Sequence, residues 1–118
     1  AAERWASYET SCSTLRAGVR RVSGKSALSM ARLEAHYFVN DCFLPPDHIM
    51  KHINVILHLP VHIIQGRHDV ICPPLTAHRL AEAWGRQATL RLVDDAGHST
   101  FETGIAHALL ASLDEFAV

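Results

Sequence analysis

The sequence contains no apolar run approaching the roughly 18–20 residues that a membrane span requires. It has no excess of charge of one sign: 11 Lys and Arg stand against 12 Asp and Glu, a net charge of −1. Without a basic field, a nucleic-acid partner is not expected. Cysteine is sparse, and Cys12, Cys42 and Cys72 form no C-x-x-C pair. An odd number of unpaired thiols suits a reducing compartment, so a cytoplasmic location is expected. Glu3, Arg4 and Glu9 interrupt any apolar stretch at the start, so no signal peptide is expected there. Ala1 stands where an initiating Met would be, which raises the expectation that the 118 residues are part of a larger protein. There is no internal repeat and no low-complexity tract. Among motifs, G-x-S-x-G is absent. Gly24-Lys25-Ser26 matches the end of a phosphate loop, but the upstream glycine that loop needs falls on Val19.

What is present in quantity is apolar residues, 48%, and histidine, nine in all. The apolar fraction is that of a globular chain. His48 and His52, and His58 and His62, are spaced i,i+4. Zinc-peptidase chemistry would need Glu directly after the first histidine, and Ile49 and Ile63 stand there instead. With no third ligand in evident register, scattered histidines are the better reading and no metal or organic cofactor is expected.

The chain changes rhythm near Leu59-Pro60. Before it the pattern is helical. Trp5, Tyr8, Glu9 and Cys12 fall on one helical face, and a second helix runs from Ser26 to about Val39 with Met30, Ala31, Glu34, Ala35 and Phe38 on one stripe. Leu44-Pro45-Pro46-Asp47 breaks the chain and offers Asp47 at a new helix start, after which Ile49, Ile53, Ile56 and Leu57 recur at helical intervals. After Pro60, Val61–Gln65 is a short β-branched strand and Thr89–Val93 a second. Between them Pro73-Pro74 opens a helix with Ala77, Leu80, Ala81 and Trp84 on its apolar face, ended by Gly85. Ile105, Ala108, Leu109, Ser112, Leu113 and Phe116 make a last amphipathic helix. Strand, helix, strand, helix predicts an α/β class with two parallel strands. Residues 1–58 are expected to form a helical portion and 59–118 an α/β portion. Two strands alone leave edges open and little core, so further strands are expected upstream of Ala1.

In open parallel sheets, chemistry gathers at the carboxyl ends of the strands. There lie Gln65-Gly66-Arg67-His68-Asp69 and Asp94-Asp95-Ala96-Gly97-His98-Ser99. An acid after one strand and a histidine after the next is the arrangement a hydrolase triad needs: the carboxylate holds the imidazole tautomer and the imidazole takes a proton from a nucleophile. Gly97 is read as allowing a sharp turn before His98. Taken alone, Asp69 could be a turn residue or helix cap, and His98 a polar loop histidine. Their joint placement favours the triad. Asp94 and Asp95 are poorer candidates, being on the same loop as the ring they would orient.

The segments Gly66-Arg67-His68-Asp69-Val70-Ile71-Cys72-Pro73-Pro74, Asp95-Ala96-Gly97-His98-Ser99 and Ala31-Arg32-Leu33-Glu34-Ala35-His36-Tyr37-Phe38 resemble proline iminopeptidases (prolyl aminopeptidases), which are α/β-hydrolases with a helical cap. The first two are shared loosely with other α/β-hydrolases. The third, and Trp5-Ala6-Ser7-Tyr8-Glu9, are more specific to that family. The resemblance implies the C-terminal part of an α/β-hydrolase fold preceded by cap helices. It implies Asp69 and His98 as triad acid and base, and Glu34 and Glu9 as cap carboxylates that bind the substrate's free amino group. Phe38 and Cys72 would line the apolar pocket for a proline ring, and peptides with N-terminal proline would be the substrates. The nucleophilic serine would lie outside these residues. His68 departs from the family's usual Tyr, and Tyr8 from its frequent Trp.

Physical chemistry is consistent with those roles. A carboxylate on the apolar stripe that holds Met30, Ala31 and Phe38 is costly unless paired. A cationic ligand is one partner for Glu34; a structural salt bridge to Arg32 or Arg4 is the other. Phe38 could equally be plain core and Cys72 an ordinary buried thiol. The rival readings are another capped hydrolase of the esterase or epoxide hydrolase type, and a non-catalytic remnant.

Overall fold

The computed structural model describes residues 1–16, 18 and 20–117. In chain order its elements are α1 (Ala2–Cys12), α2 (Gly24–Val39), α3 (His48–His52), β1 (Val61–Gly66), α4 (Pro74–Trp84), β2 (Ala88–Val93) and α5 (Thr103–Phe116), with single 3-10 turns at Asp41–Phe43, Ile53–Val55 and Gly85–Gln87. The α/β class is as the sequence implies. β1 and β2 pair in parallel, with Val61 opposite Ala88 and Gly66 opposite Val93.

Parallel neighbours require a crossover, and α4 supplies it. Pro74 sits at its first turn, where a missing N–H costs nothing. Gly85 ends it at φ +76, a conformation that suits glycine, and donates its N–H to the Ala81 carbonyl. The Trp84 indole N–H donates to the Leu59 carbonyl at 2.9 Å, tying the helix end to the chain entering β1. His62 and Arg91 lie on one face of the strand pair, and both reach Glu115 of α5, His62 at 3.6 Å. The His62 ring also stacks on Phe116, centroids 4.6 Å apart. That face of the strand pair is therefore the one α5 covers.

α1 packs on α2, and each buries one alanine completely, Ala6 and Ala27. Small side chains at such a contact let two backbones approach closely. The segment joining them is pinned to α1 by side-chain acceptors. Ser7 Oγ accepts from Val22 N–H at 3.0 Å, Ser11 Oγ from Arg20 N–H at 3.1 Å, and Glu3 from Gly24 N–H at 3.1 Å.

The helix expected from Asp47 onward is shorter than its apolar spacing suggests. α3 lasts five residues and passes into the 3-10 turn Ile53–Val55. Ile49 and Val55 remain exposed, so no packed surface rewards further helix. Asp47 stands at the start of α3 but in the left-handed region, and its side chain makes no cap hydrogen bond. Asp41, Cys42 and Phe43 are also left-handed, with φ of 50–58°. This places the Phe43 ring on Tyr37 and His36, at 5.5 and 5.3 Å.

Among the described residues the buried apolar core is small: Ala6, Ala27, Ala77, Ala96 and Ile105, with no large side chain fully enclosed. The radius of gyration is 16.3 Å, against about 13.5 Å for a compact chain of this length. A two-stranded sheet has too little area to enclose both of its faces. Much of the apolar stripe of α5 stays in the open, Leu113 being 64% exposed.

Gly66 ends β1 against the loop that follows β2. A Cβ there would lie 1.9 Å from the Gly97 carbonyl oxygen and 2.7 Å from that of Ala96. Gly66→Ala is therefore expected to destabilise the chain by about 1–3 kcal/mol or more, read from urea unfolding midpoints. An unchanged midpoint would show that the two loops separate freely.

Candidate active site

The strand ladder continues past the strand ends. Arg67 N–H donates to the Val93 carbonyl at 2.9 Å and His68 N–H to the Ala96 carbonyl at 3.0 Å. The loop carrying Asp69 is thus laid along the loop carrying His98, and the two side chains meet. His98 Nδ1 lies 2.9 Å from Asp69 Oδ2.

Asp69 is buried, and both of its oxygens are in use. Oδ1 accepts from the Ile71 and Cys72 backbone N–H groups, at 2.9 and 2.8 Å. This is the turn that an aspartate forms with its own backbone. The turn reading and the acid reading of Asp69 are therefore compatible, since different oxygens serve each. Oδ2 accepts from His98 and from Gln65 Nε2 at 3.1 Å. Burial by itself would push the carboxyl up; the Cys72 N–H, the His98 ring and the Ile71 N–H together outweigh it and hold Asp69 below the usual carboxylate value. An ionised carboxylate only accepts, so Nδ1 of His98 carries a hydrogen, and in the neutral ring Nε2 is the nitrogen that keeps its lone pair.

Asp94 is engaged elsewhere, 2.6 Å from Arg67 Nε. Gly97 does not have a positive φ, contrary to the sharp turn expected of it. Its missing Cβ instead admits other backbone: a Cβ would meet Leu15 N at 3.2 Å and Thr14 C at 3.4 Å. The tail of α1 lies against this loop. The Ser13 carbonyl accepts from both His98 and Ser99 N–H, at 3.0 and 2.7 Å.

His98 opens on a cleft of about 640 Å³ between α1, α2 and the loop after β1. Its walls include Glu9 with Trp5 and Tyr8 from α1, Glu34 with Met30 and Phe38 from α2, and Cys72 with Ile71 from the loop. Five of the six residues singled out in the sequence, Glu9, Glu34, Phe38, Cys72 and His98, therefore line one cavity, and the sixth, Asp69, holds His98 from behind. Glu34 makes no ion pair with Arg32 or Arg4; its carboxylate accepts from the Trp5 indole N–H. Trp5 in turn lies 6.2 Å from the Tyr8 ring. Phe38 is 59% exposed and is not core. Partial burial, then the Asp69 and Glu9 carboxylates, push the Cys72 thiol up, so it is a neutral S–H at neutral pH.

Three contributors were not singled out from sequence. Gln65, the penultimate residue of β1, donates to Asp69 and to the Cys72 carbonyl at 3.1 Å each; nothing local marks it. Trp5 was placed on the right face without its bond to Glu34. Glu102 accepts from Gly97 N–H at 2.6 Å and from Leu15 N–H at 2.8 Å. Ser99-x-x-Glu102 before an apolar run is a helix-start signal that could have drawn attention to it. Here, however, the carboxylate bonds other segments.

Among the described residues no three His, Cys, Asp or Glu side chains converge as a metal set. His48 and His52 stack on each other at 4.3 Å, with His52 Nδ1 2.8 Å from the His48 carbonyl oxygen. Nor is any helix among the described residues long and apolar enough to cross a membrane.

No family model matches the chain. It is similar along nearly its whole length to several proline iminopeptidases. It is 40% identical over 117 residues to that of Arabidopsis thaliana, covering 95% of this chain and 30% of that protein. It is 37% identical to that of Xanthomonas citri, covering 99% and 39% respectively, and 36% identical to that of Neisseria gonorrhoeae, covering 98% and 37%. The chain thus spans about a third of the length of the relatives it matches.

The low-lying Asp69 carboxyl sets a pH dependence. A carboxyl held below its unfolded value stabilises the fold above about pH 4, and that stability is lost as pH falls through the folded value. Asp69→Asn is expected to lower the urea midpoint at about pH 7 and to flatten its decline toward about pH 3. Parallel declines in the two proteins would show that Asp69 is not ionised and bonded in the fold.

Proposed function

We propose that the chain is the part of a prolyl aminopeptidase that supplies the triad acid, the triad base and the amine-binding wall, with residues 1–58 as cap portion and 59–118 as part of the hydrolase core. The observation that carries this reading is the single cleft that joins Glu9, Glu34, Phe38 and Cys72 to an imidazole backed by a buried carboxylate. The resemblance to proline iminopeptidases along the chain supports it independently.

The chemistry follows from the groups. A serine from outside these residues attacks the carbonyl of an N-terminal proline. His98 Nε2 takes the hydroxyl proton and passes it to the leaving amine, and Asp69 holds the ring by Nδ1 throughout. Water, activated by the same imidazole, then cleaves the acyl-enzyme and releases proline. No metal or organic cofactor takes part. An N-terminal proline carries a secondary ammonium, and Glu9 and Glu34 are the anionic partners for it. Phe38 offers its ring face to the pyrrolidine, and Cys72, kept neutral, adds apolar wall without charge. The substrates are peptides with N-terminal proline, and the location is cytoplasmic. An esterase or epoxide hydrolase has no cation to bind, and two carboxylates on the wall of its cleft would serve no purpose.

In the natural protein that carries this sequence, Glu34→Gln keeps the shape and removes the charge. A charge-assisted bond in a partly buried site is worth roughly 1.5–3 kcal/mol. kcat/KM for a prolyl arylamide should therefore fall about tenfold to a hundredfold, while that for a neutral ester of similar size changes little. Equal losses on both substrates would mean that Glu34 holds helices together and does not read the amine.

The purified 118-residue chain should release no proline from the same arylamide, because it has neither a serine elbow nor an oxyanion loop. Measurable release, or labelling of one of its serines by a fluorophosphonate, would overturn this.

A further inference from the structure

The imidazole loop is held from an unexpected side. The N–H groups of Gly97, His98 and Ser99 do not enter the strand ladder. Two go to the Ser13 carbonyl, and the third, that of Gly97, goes to Glu102 Oε2 at 2.6 Å. The other oxygen of Glu102 takes the Leu15 N–H at 2.8 Å. One carboxylate therefore bridges two backbone segments 82 residues apart: the loop that carries His98 and the tail of the helix that carries Glu9. Glu102 is itself tied to the loop, its N–H donating to the Ser99 carbonyl at 3.1 Å.

A carboxylate is the group this position requires. Two converging N–H donors need two acceptor oxygens, and an amide would offer one oxygen and turn an NH2 toward the other donor. Aspartate would keep the charge beside the N-terminus of α5 but is one methylene short of spanning both segments. Gly97 is buried, and its N–H would be costly to leave unpaired; the bond to the exposed Leu15 N–H ties that loop to the α1 tail.

We infer that Glu102 is a positioning residue: through the Gly97 and Leu15 amides it sets where His98 stands relative to Asp69 and to the α1 wall of the cleft. The inference rests on the role proposed for His98. It makes the amine-binding helix and the base one mechanical unit, so a shift of α1 is passed to the imidazole.

The test uses the natural protein that carries this sequence, with Glu102→Gln and Glu102→Asp. Nitrogen-15 spectra of His98, followed upward in pH until the ring signals stop moving, report which nitrogen of the neutral ring bears the hydrogen. Wild type should show Nδ1–H. Both variants should shift toward the Nε2–H form that a free imidazole favours, with faster hydrogen exchange at Gly97 and Leu15. On prolyl arylamide, kcat per folded molecule should fall about tenfold to a hundredfold, with KM within about twofold. A purely structural role would lower the folded fraction and leave the tautomer and kcat of the remainder intact; that result overturns the inference. Nε2–H in wild type overturns it together with the triad reading. Wild type without prolyl hydrolysis, but with the tautomer moving as stated, removes the proposed substrate and upholds the positioning role.

Discussion

Gly66 and Gly97 meet backbone to backbone, with no room between them for even a methyl group, and the site depends on that closeness. The contact lies at the end of the ladder, where Gly66 of the last regular pair meets the loop after β2. Holding the loops together there carries the parallel register from β1 and β2 into two irregular segments. Asp69 and His98 then face each other as a consequence of backbone geometry, before their own hydrogen bond adds anything. The side-chain bond is the outcome of this approach and not its cause.

Around that contact, polar groups are shared economically. Asp69 uses one oxygen to shape its own loop and the other to hold the ring, and Gln65 braces the second. These bonds more than offset the burial that would otherwise raise the carboxyl, so the group that orients His98 stays ionised. The Ser13 carbonyl and the Glu102 carboxylate accept the backbone N–H groups of the loop that bears the ring. The helical first half is thus joined to the α/β half by polar contacts, because the segment after α1 completes the hydrogen bonding of the loop that bears His98.

The fold has little apolar material holding it. Among the described residues its buried apolar side chains are mostly alanines, and its amphipathic stripes on α2 and α5 are only partly covered. Directional bonds at loops therefore matter more here than in a chain with a thick core. The α1–α2 pair closes on the small side chains of Ala6 and Ala27, while the aromatic rings Trp5, Tyr8 and Phe38 stay at the cleft. Aromatic exposure at a cleft whose walls carry two carboxylates is an arrangement that suits a ligand both cationic and apolar.

Much was readable along the chain because it depends on neighbours in sequence. The helical stripes through Glu9 and Glu34, the β-branched strands, the Pro74 start and the Gly85 stop follow from period, propensity and backbone freedom. So does the placement of Asp69 and His98 after consecutive strands. The apolar spacing after Asp47 predicts a longer helix than the five residues that form, because those side chains have no surface to pack on. Gly97 serves close approach and not a turn, a difference that is invisible in sequence because either role calls for glycine. Gln65, Trp5 and Glu102 bond to groups 4, 29 and 87 residues away, and no periodicity encodes such pairings. Only the tertiary structure decided them, because an acceptor's partner is set by which donor the fold brings within about three ångströms.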